Sequence, residues 1–286
     1  MKIKFKFLAV FMIILIFSFV GCTNENSKKS IQNSNSNEML VHFIDVGQGD
    51  SMLIQANGKN LLIDSGPKTG KDNLLNYLKS LNISKLDYVI ATHPHEDHIG
   101  NMADIIKKYD VSNFYAPKVE HTSKTFEKMI ESLQSKNLKI NVIKKGVDSI
   151  NLGKGTKVTV FSPTQDSYEE LNNYSPVMKI EYGKTSFLFT GDAEKEVEKE
   201  ILNNNDDIES DVLKLGHHGS STSTTKNFLK KVNPSLGVIC VGNNNTYNHP
   251  NKDTISRLKD NNVTIYQTNK EGTIVLSSNG STITKR

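Results

Sequence analysis

The segment Thr92-His93-Pro94-His95-Glu96-Asp97-His98 follows the apolar run Leu86–Ala91, and its reading decides the fold. Three histidines and an aspartate fall within six residues directly after a buried strand, a pattern poorly explained by an ordinary solvated loop. In extended chain, residues two apart point to the same side, so His93 and His95 can converge on one cation. Asp97 and His98 lie just beyond, where a turn can aim them at a second ion. Imidazole and carboxylate suit Zn²⁺ well and Mn²⁺ or Fe²⁺ acceptably. Pro94 stiffens the loop, and Gly100 frees the backbone for entry into the next helix.

Working outward, six of the eight histidines fall in three short segments, each just after a predicted strand. Besides the first segment these are Gly216-His217-His218-Gly219 and Asn248-His249-Pro250. Of His217 and His218, one can be a ligand while the other donates a proton to a leaving group. Asp192 follows the strand ending at Thr190 and reads either as a ligand or as the N-cap of a helix from Ala193. His42 alternates with apolar neighbours and is expected to be structural. His121 sits in a polar stretch and is expected to be solvated. Cys240, in the apolar run Gly237–Val241, is expected to be a buried inert thiol.

Strands are expected at Met39–Ile44, Ser51–Gln55, Asn60–Ile63, Leu86–Ala91, Val111–Tyr115 and Lys139–Ile143, with helices at Asp72–Leu81, Met102–Tyr109 and Lys124–Lys136. From Gly155 a second half repeats the alternation. Its strands are Lys157–Phe161, Val177–Tyr182, Ser186–Thr190, Val212–Leu215, Leu236–Val241, Thr264–Gln267 and Gly272–Leu276. Its helices are Ala193–Asn203, Thr225–Val232 and Lys252–Asn261. Both halves open on hairpins, so the expected α/β (α+β) architecture is two mixed sheets packed face to face with helices outside. No composition break divides residues 39–286, which are expected to form one domain.

Lys2, Lys4 and Lys6 precede an apolar run from Phe7 to Phe17, the layout of a secretory signal peptide. The run is shorter than the ~20 residues that span a bilayer. Phe19-Val20-Gly21-Cys22 resembles a bacterial lipoprotein cleavage box. The expectation is a signal segment at 1–21, a lipidated Cys22, and a polar tether over 22–38 holding the domain on the outer face of the cell membrane. Plain secretion is the alternative. Lipidation of Cys22 would leave Cys240 without a disulfide partner. The full chain carries +4, and the three leader lysines take the mature form to +1. A strongly basic nucleic-acid binder is not indicated by this net charge, which leaves room for local basic surface. With 36% hydrophobic and 23% charged residues and no repeat period, the chain is neither disordered, nor a membrane bundle, nor a solenoid.

The pattern His93-x-His95-x-Asp97-His98 after a strand resembles the signature of the metallo-β-lactamase superfamily, whose fold is a four-layer αβ/βα sandwich with metals at the sheet edges. Phe43–Ser51, Leu62–Gly66, Thr92–Gly100, Phe189–Asp192, Gly216–Ser220 and Asn248–Pro250 together resemble one branch, the C-terminal hydrolase domain of the DNA-uptake (competence) protein ComEC. Only that exported hydrolase module is expected here. The resemblance implies one or two divalent ions, zinc first and manganese as the alternative, held by His93, His95, Asp97, His98 and the bridging Asp192. His217 or His249 would complete the second site, a choice the sequence leaves open. Asp64 would orient the histidine loop, and Asp50, in Gly47-Gln48-Gly49-Asp50, would lend a supporting contact. The histidine usual some twenty residues before Asp192 is replaced by Leu171-Asn172-Asn173-Tyr174-Ser175, as in the ComEC branch. The first site then relies on an unusual ligand, or one ion alone binds tightly. Ser175 reads as support there. Asn173, His217 or His218 would orient substrate or assist the leaving group, with Asp97 and Asp192 serving catalysis through the ions.

Ions so held bring the pKa of bound water towards ~7, which implies hydrolysis. The expected substrate is a phosphodiester, DNA among the candidates, with no obligate protein partner. The alternatives are a hydrolase for a lactam, lactone, thioester or phosphocholine ester, and a non-catalytic surface lipoprotein.

Overall fold

A computed structural model describes residues 38–243 and 245–286. The expected signal segment, Cys22 and the tether up to residue 37 lie outside the described residues. The strands are β1 Met39–Phe43, β2 Met52–Ala56, β3 Lys59–Ile63, β4 Lys85–Ile90, β5 Asp110–Ala116, β6 Ile140–Val142, β7 Thr156–Val160, β8 Met178–Tyr182, β9 Thr185–Phe189, β10 Val212–Lys214, β11 Leu236–Ile239, β12 Thr264–Gln267, β13 Ile274–Ser278 and β14 Ile283–Lys285. They form an eight-stranded sheet in the order β14-β13-β1-β2-β3-β4-β5-β6 and a six-stranded sheet in the order β12-β11-β10-β9-β8-β7.

Each sheet starts antiparallel and turns parallel. β1–β2 and β2–β3 are antiparallel, while β3–β4, β4–β5 and β5–β6 are parallel. In the second sheet β7–β8 and β8–β9 are antiparallel, followed by parallel β9–β10, β10–β11 and β11–β12. The parallel strands bring several carboxyl ends to one edge, where α/β sheets gather their functional loops.

Period-two side-chain alternation makes the layers. Leu61 and Ile63 of β3 enter the core between the sheets with Phe43, Ile90, Phe187 and Phe189. Leu62 points the other way, onto Leu74 and Leu78 of the helix Lys71–Ser80. On the outer face of the second sheet, Leu213 and Leu215 pack with Val197, Ile201, Phe228 and Leu258 from three helices. This is the helix–sheet–sheet–helix sandwich that the sequence predicts. Expected boundaries shift by a residue or two, as strand and helix ends do. β14 was not expected, because Ile283-Thr284-Lys285 is short and largely exposed. The helix expected from Ala193 starts at Lys195 with Glu194 at its N-cap, so Asp192 caps nothing.

Candidate metal centre

The segment after β4 bends at His93 and Pro94, is extended at His95 and then enters a single helical turn, Glu96–Ile99. That turn carries Asp97 and His98 back beneath His93. His93 Nε2 and His95 Nδ1 lie 3.0 Å apart, so both imidazoles face a common space. Gly49 makes the packing possible: a Cβ there would sit 2.2 Å from the Asp97 carbonyl oxygen, which instead accepts the Asp50 amide at 3.2 Å.

Opposite, Asp192 follows β9 at the turn begun by Gly191, whose φ of +49° and crowding against Ser175 suit glycine. One carboxylate oxygen, Asp192 Oδ2, lies 3.2 Å from His98 Nε2, 3.5 Å from His218 Nε2, 3.8 Å from His217 Nε2 and 3.9 Å from His93 Nε2. Asp97 Oδ2 is 3.2 Å from His218 Nε2. Asp97, His98, Asp192 and His218 each offer a ligand atom, all within 4.8 Å of one another. His217 and His218 both adopt left-handed backbone, φ +49° and +53°. Such residues cost about 1–2 kcal/mol each. His218 ends buried, while His217 is partly exposed and lines the cleft.

The Nδ1 atoms of His93, His98 and His218 each have a partner. His98 Nδ1 donates to Asp64 Oδ2 at 2.8 Å. Asp64 also accepts the Thr92 amide at 2.8 Å and the Thr92 hydroxyl at 2.7 Å, so it holds the whole segment. His218 Nδ1 donates to the Cys240 carbonyl at 2.9 Å, with Asp50 Oδ1 at 3.3 Å. His93 Nδ1 lies 3.1 Å from Thr92 Oγ1 and 3.3 Å from Ser175 Oγ, and Ser175 Oγ accepts the Asp192 amide at 3.1 Å. Such partners fix the ring and leave Nε2 for a metal. Three buried atoms inside the cluster, His98 Nε2, His218 Nε2 and Asp192 Oδ1, have no hydrogen-bond partner. Buried polar atoms without partners are costly. This donor set, soft enough for zinc and hard enough for manganese, fits a divalent cation.

The electrostatics agree. Burial disfavours charge throughout the cluster, yet Asp192, Asp64 and Asp97 raise the His98 pKa well above its ordinary value. Against the same burial, Asp192 and Asp50 bring His218 up to about 10. Asp192 itself is held well below the carboxylate range by His218 and His98, despite its burial. His93, buried beside His98, is driven well below. The carboxylates demand compensating positive charge, and protons compete with a metal for the same nitrogens.

The remaining sequence candidates divide. His249 lines the cleft, its ring 5.3 Å from His217 and 6.3 Å from His218, and stands outside the four-residue cluster. Asn173 accepts the Glu194 amide at 3.0 Å and donates to Glu196 at 2.8 Å, which turns its side chain to the start of the helix Lys195–Asn203. His42 is buried and bonded to Tyr77 and Gln55, with burial pulling its pKa down to about 4. Cys240 is a buried free thiol.

Two residues escaped the sequence reading. Lys214, fully buried in β10, places Nζ 2.7 Å from Asp50 Oδ2. A lysine among Val212, Leu213 and Leu215 was the available signal, since a buried charge demands a partner. Glu194 Oε1 lies 3.3 Å from His217 Nδ1, and that bond holds the Glu194 carboxyl below its usual range.

Residues 44–243 match the metallo-beta-lactamase superfamily. The chain is 33% identical over 257 residues to ComE operon protein 3 of Bacillus subtilis, covering 84% of this chain and 33% of that protein. It is 29% identical over 223 residues to Recombination protein 2 of Haemophilus influenzae, covering 76% of this chain and 26% of that one. It therefore spans about a third or less of the length of these relatives. Among solved structures, the metallo-beta-lactamase fold protein YhfI from Bacillus subtilis superposes with a TM-score of 0.56 at 14% identity, covering 85% of this chain and 100% of that one. A metallo hydrolase from Ignicoccus hospitalis gives 0.55 at 17% identity, covering 82% and 98%. Family match, sandwich and His/Asp cluster agree: the chain belongs to the metallo-beta-lactamase superfamily.

Proposed function

We propose that the chain is an exported, membrane-anchored, metal-dependent phosphodiesterase, with DNA among its substrates. The observation that carries the hydrolytic reading is the Asp97–His98–Asp192–His218 cluster, set in a cleft of about 480 Å³. A purely structural module has no use for three buried polar atoms left without partners. The choice of a phosphodiester over a lactam or thioester is supported by likeness to ComE operon protein 3 and to Competence protein ComA of Neisseria gonorrhoeae.

A divalent ion held by the cluster would supply charge neutralisation and an acidified water. The chain's own residues do the rest. Asp64 and the Cys240 carbonyl fix His98 and His218 through Nδ1. His217, backed at Nδ1 by Glu194, faces the cleft with Nε2 and can hand a proton to a departing oxygen. His93 and His95 offer converging nitrogens beside Asp192, and Ser175 supports this side in place of a third histidine.

The test is turnover of bis-p-nitrophenyl phosphate, single- and double-stranded DNA and nitrocefin by the purified, metal-loaded chain. Hydrolysis of at least one of the phosphodiesters is expected, without hydrolysis of nitrocefin. Hydrolysis of nitrocefin alone would replace this reading with the lactam alternative. The anchor is tested separately by mass spectrometry of the mature protein, where an unmodified Cys22 within a retained leader would refute it.

A further inference from the structure

The described residues lining the cleft include no lysine or arginine. Its ionisable lining consists of histidines and the carboxylates Glu96, Asp97 and Asp192, and the near-neutral charge of the domain adds little steering. Beyond what a bound ion would supply to the phosphate itself, the chain's contribution to substrate binding then rests on the non-ionic part of the substrate. Among the described residues, three large apolar side chains are exposed: Ile140 and Val142 on the edge strand β6, and Tyr247, which lines the cleft.

A lone exposed tyrosine is ordinary on a protein surface. Tyr247 differs in being held in place. Its ring is 66% exposed and stacks on His249, with centroids 5.7 Å apart and planes at 26°. His249 in turn is 5.3 Å from His217, so Tyr247 is the next ring outward from the imidazoles around Asp192. The turn that carries it is closed from within. Asn245 Oδ1 accepts the His249 amide at 2.9 Å, and Asn245 Nδ2 donates to the carbonyls of His249 at 2.7 Å and Gly242 at 3.1 Å. The Gly242 amide donates to Gln48 Oε1 at 3.1 Å, which ties the turn to the first sheet's hairpin loop. One face of the ring is backed by His249, and the pinned loop presents the remainder to the cleft.

We infer that Tyr247 is a stacking platform for the base adjoining the scissile phosphodiester, so that the substrate is an unpaired nucleic-acid strand or a nucleotide ester. This rests on the phosphodiesterase reading. An aromatic side chain offers a base a face regardless of its sequence, worth about tenfold in affinity per stacked base. A base inside a duplex has both faces covered by its neighbours, so the platform selects single strands.

The experiment compares binding of two cleavage-resistant phosphorothioate octamers of equal charge, oligothymidylate and an abasic oligomer, to the metal-loaded chain. Oligothymidylate is expected to bind about tenfold more tightly, with a shallow salt dependence. Tyr247→Ala is expected to abolish that difference without altering abasic binding, and Tyr247→Phe to keep it. Equal affinity of the wild type for both oligomers, or base discrimination that survives Tyr247→Ala, would overturn the platform. Base discrimination without turnover of any phosphodiester would refute the phosphodiesterase reading and leave the platform standing. Turnover without discrimination would do the reverse.

Discussion

His98 and His218 hold equivalent places in the two halves, each after a parallel strand and each with Nε2 near Asp192 Oδ2, yet they are braced differently. His98 is held by a single carboxylate at 2.8 Å, and that carboxylate, Asp64, is satisfied by Thr92 at the end of the neighbouring strand. His218 has two acceptors, the Cys240 carbonyl at 2.9 Å and, more loosely, Asp50 at 3.3 Å. Asp50 belongs to the first sheet's hairpin and is neutralised by Lys214 of the second sheet. The first brace is local, and the second also joins the two sheets. One aligns a ligand, whereas the other combines alignment with a buried ion pair whose first duty is to keep the sandwich closed at the site.

Asp192 serves both histidines, so its loss should have the largest effect. Asp192→Ala is expected to lower phosphodiester turnover by about 10³-fold and to release metal, with the circular dichroism spectrum retained. Because the N-cap position of the following helix is Glu194 and not Asp192, no loss of capping accompanies it. Normal turnover in this variant would place the chemistry elsewhere. Next in size is Lys214→Met, which strands the Asp50 carboxylate in the core. Breaking a buried pair from one side costs about 3–5 kcal/mol. Urea unfolding that shows no loss would mean the Asp50 carboxylate does not depend on Lys214 for its compensation. Third, Asp64→Asn takes the charge from the acceptor of His98 Nδ1 and leaves one oxygen where two now serve His98 and Thr92, and it should weaken metal binding by about 10- to 100-fold in a chelator competition. An unchanged affinity would show that Thr92 and packing suffice.

The same contrast explains what the sequence disclosed. The local brace lies within or beside recognisable motifs: Leu62–Gly66 supplies Asp64, and Thr92–His98 supplies its partners. Strands and helices were readable because β3 and the helix Lys71–Ser80 show clean period-two and helical apolar spacing. The inter-sheet brace was not readable as such. The sequence offers Asp50 as a supporting contact without saying to what, and gives Lys214 no partner, because their contact exists only after two sheets pack. The choice among His217, His218 and His249 was open for a similar reason. It depends on two consecutive left-handed residues that turn His218 inward, and no residue type at those positions announces that backbone. Asn173 was read toward the cluster from its place in the chain, but the short helical turn Leu171–Tyr174 directs it to Glu194 and Glu196.

The smallest expected effect belongs to the double variant Asp50→Asn, Lys214→Met. Removing both charges leaves no stranded ion in the core, so most of the stability lost in Lys214→Met should return; replacing both members of a buried pair is often nearly neutral. His218 keeps its shorter bond to the Cys240 carbonyl, which by itself fixes the ring and leaves Nε2 free. Metal affinity should therefore fall by less than about threefold, well short of the Asp64→Asn loss. The double variant is informative because stability and metal affinity separate. If stability returns and affinity stays near wild type, the ion pair adds little net stability and the carbonyl is the true brace of His218. If stability returns but affinity falls as far as in Asp64→Asn, the Asp50 carboxylate aligns the imidazole despite its longer distance. The two halves would then brace their histidines in the same way.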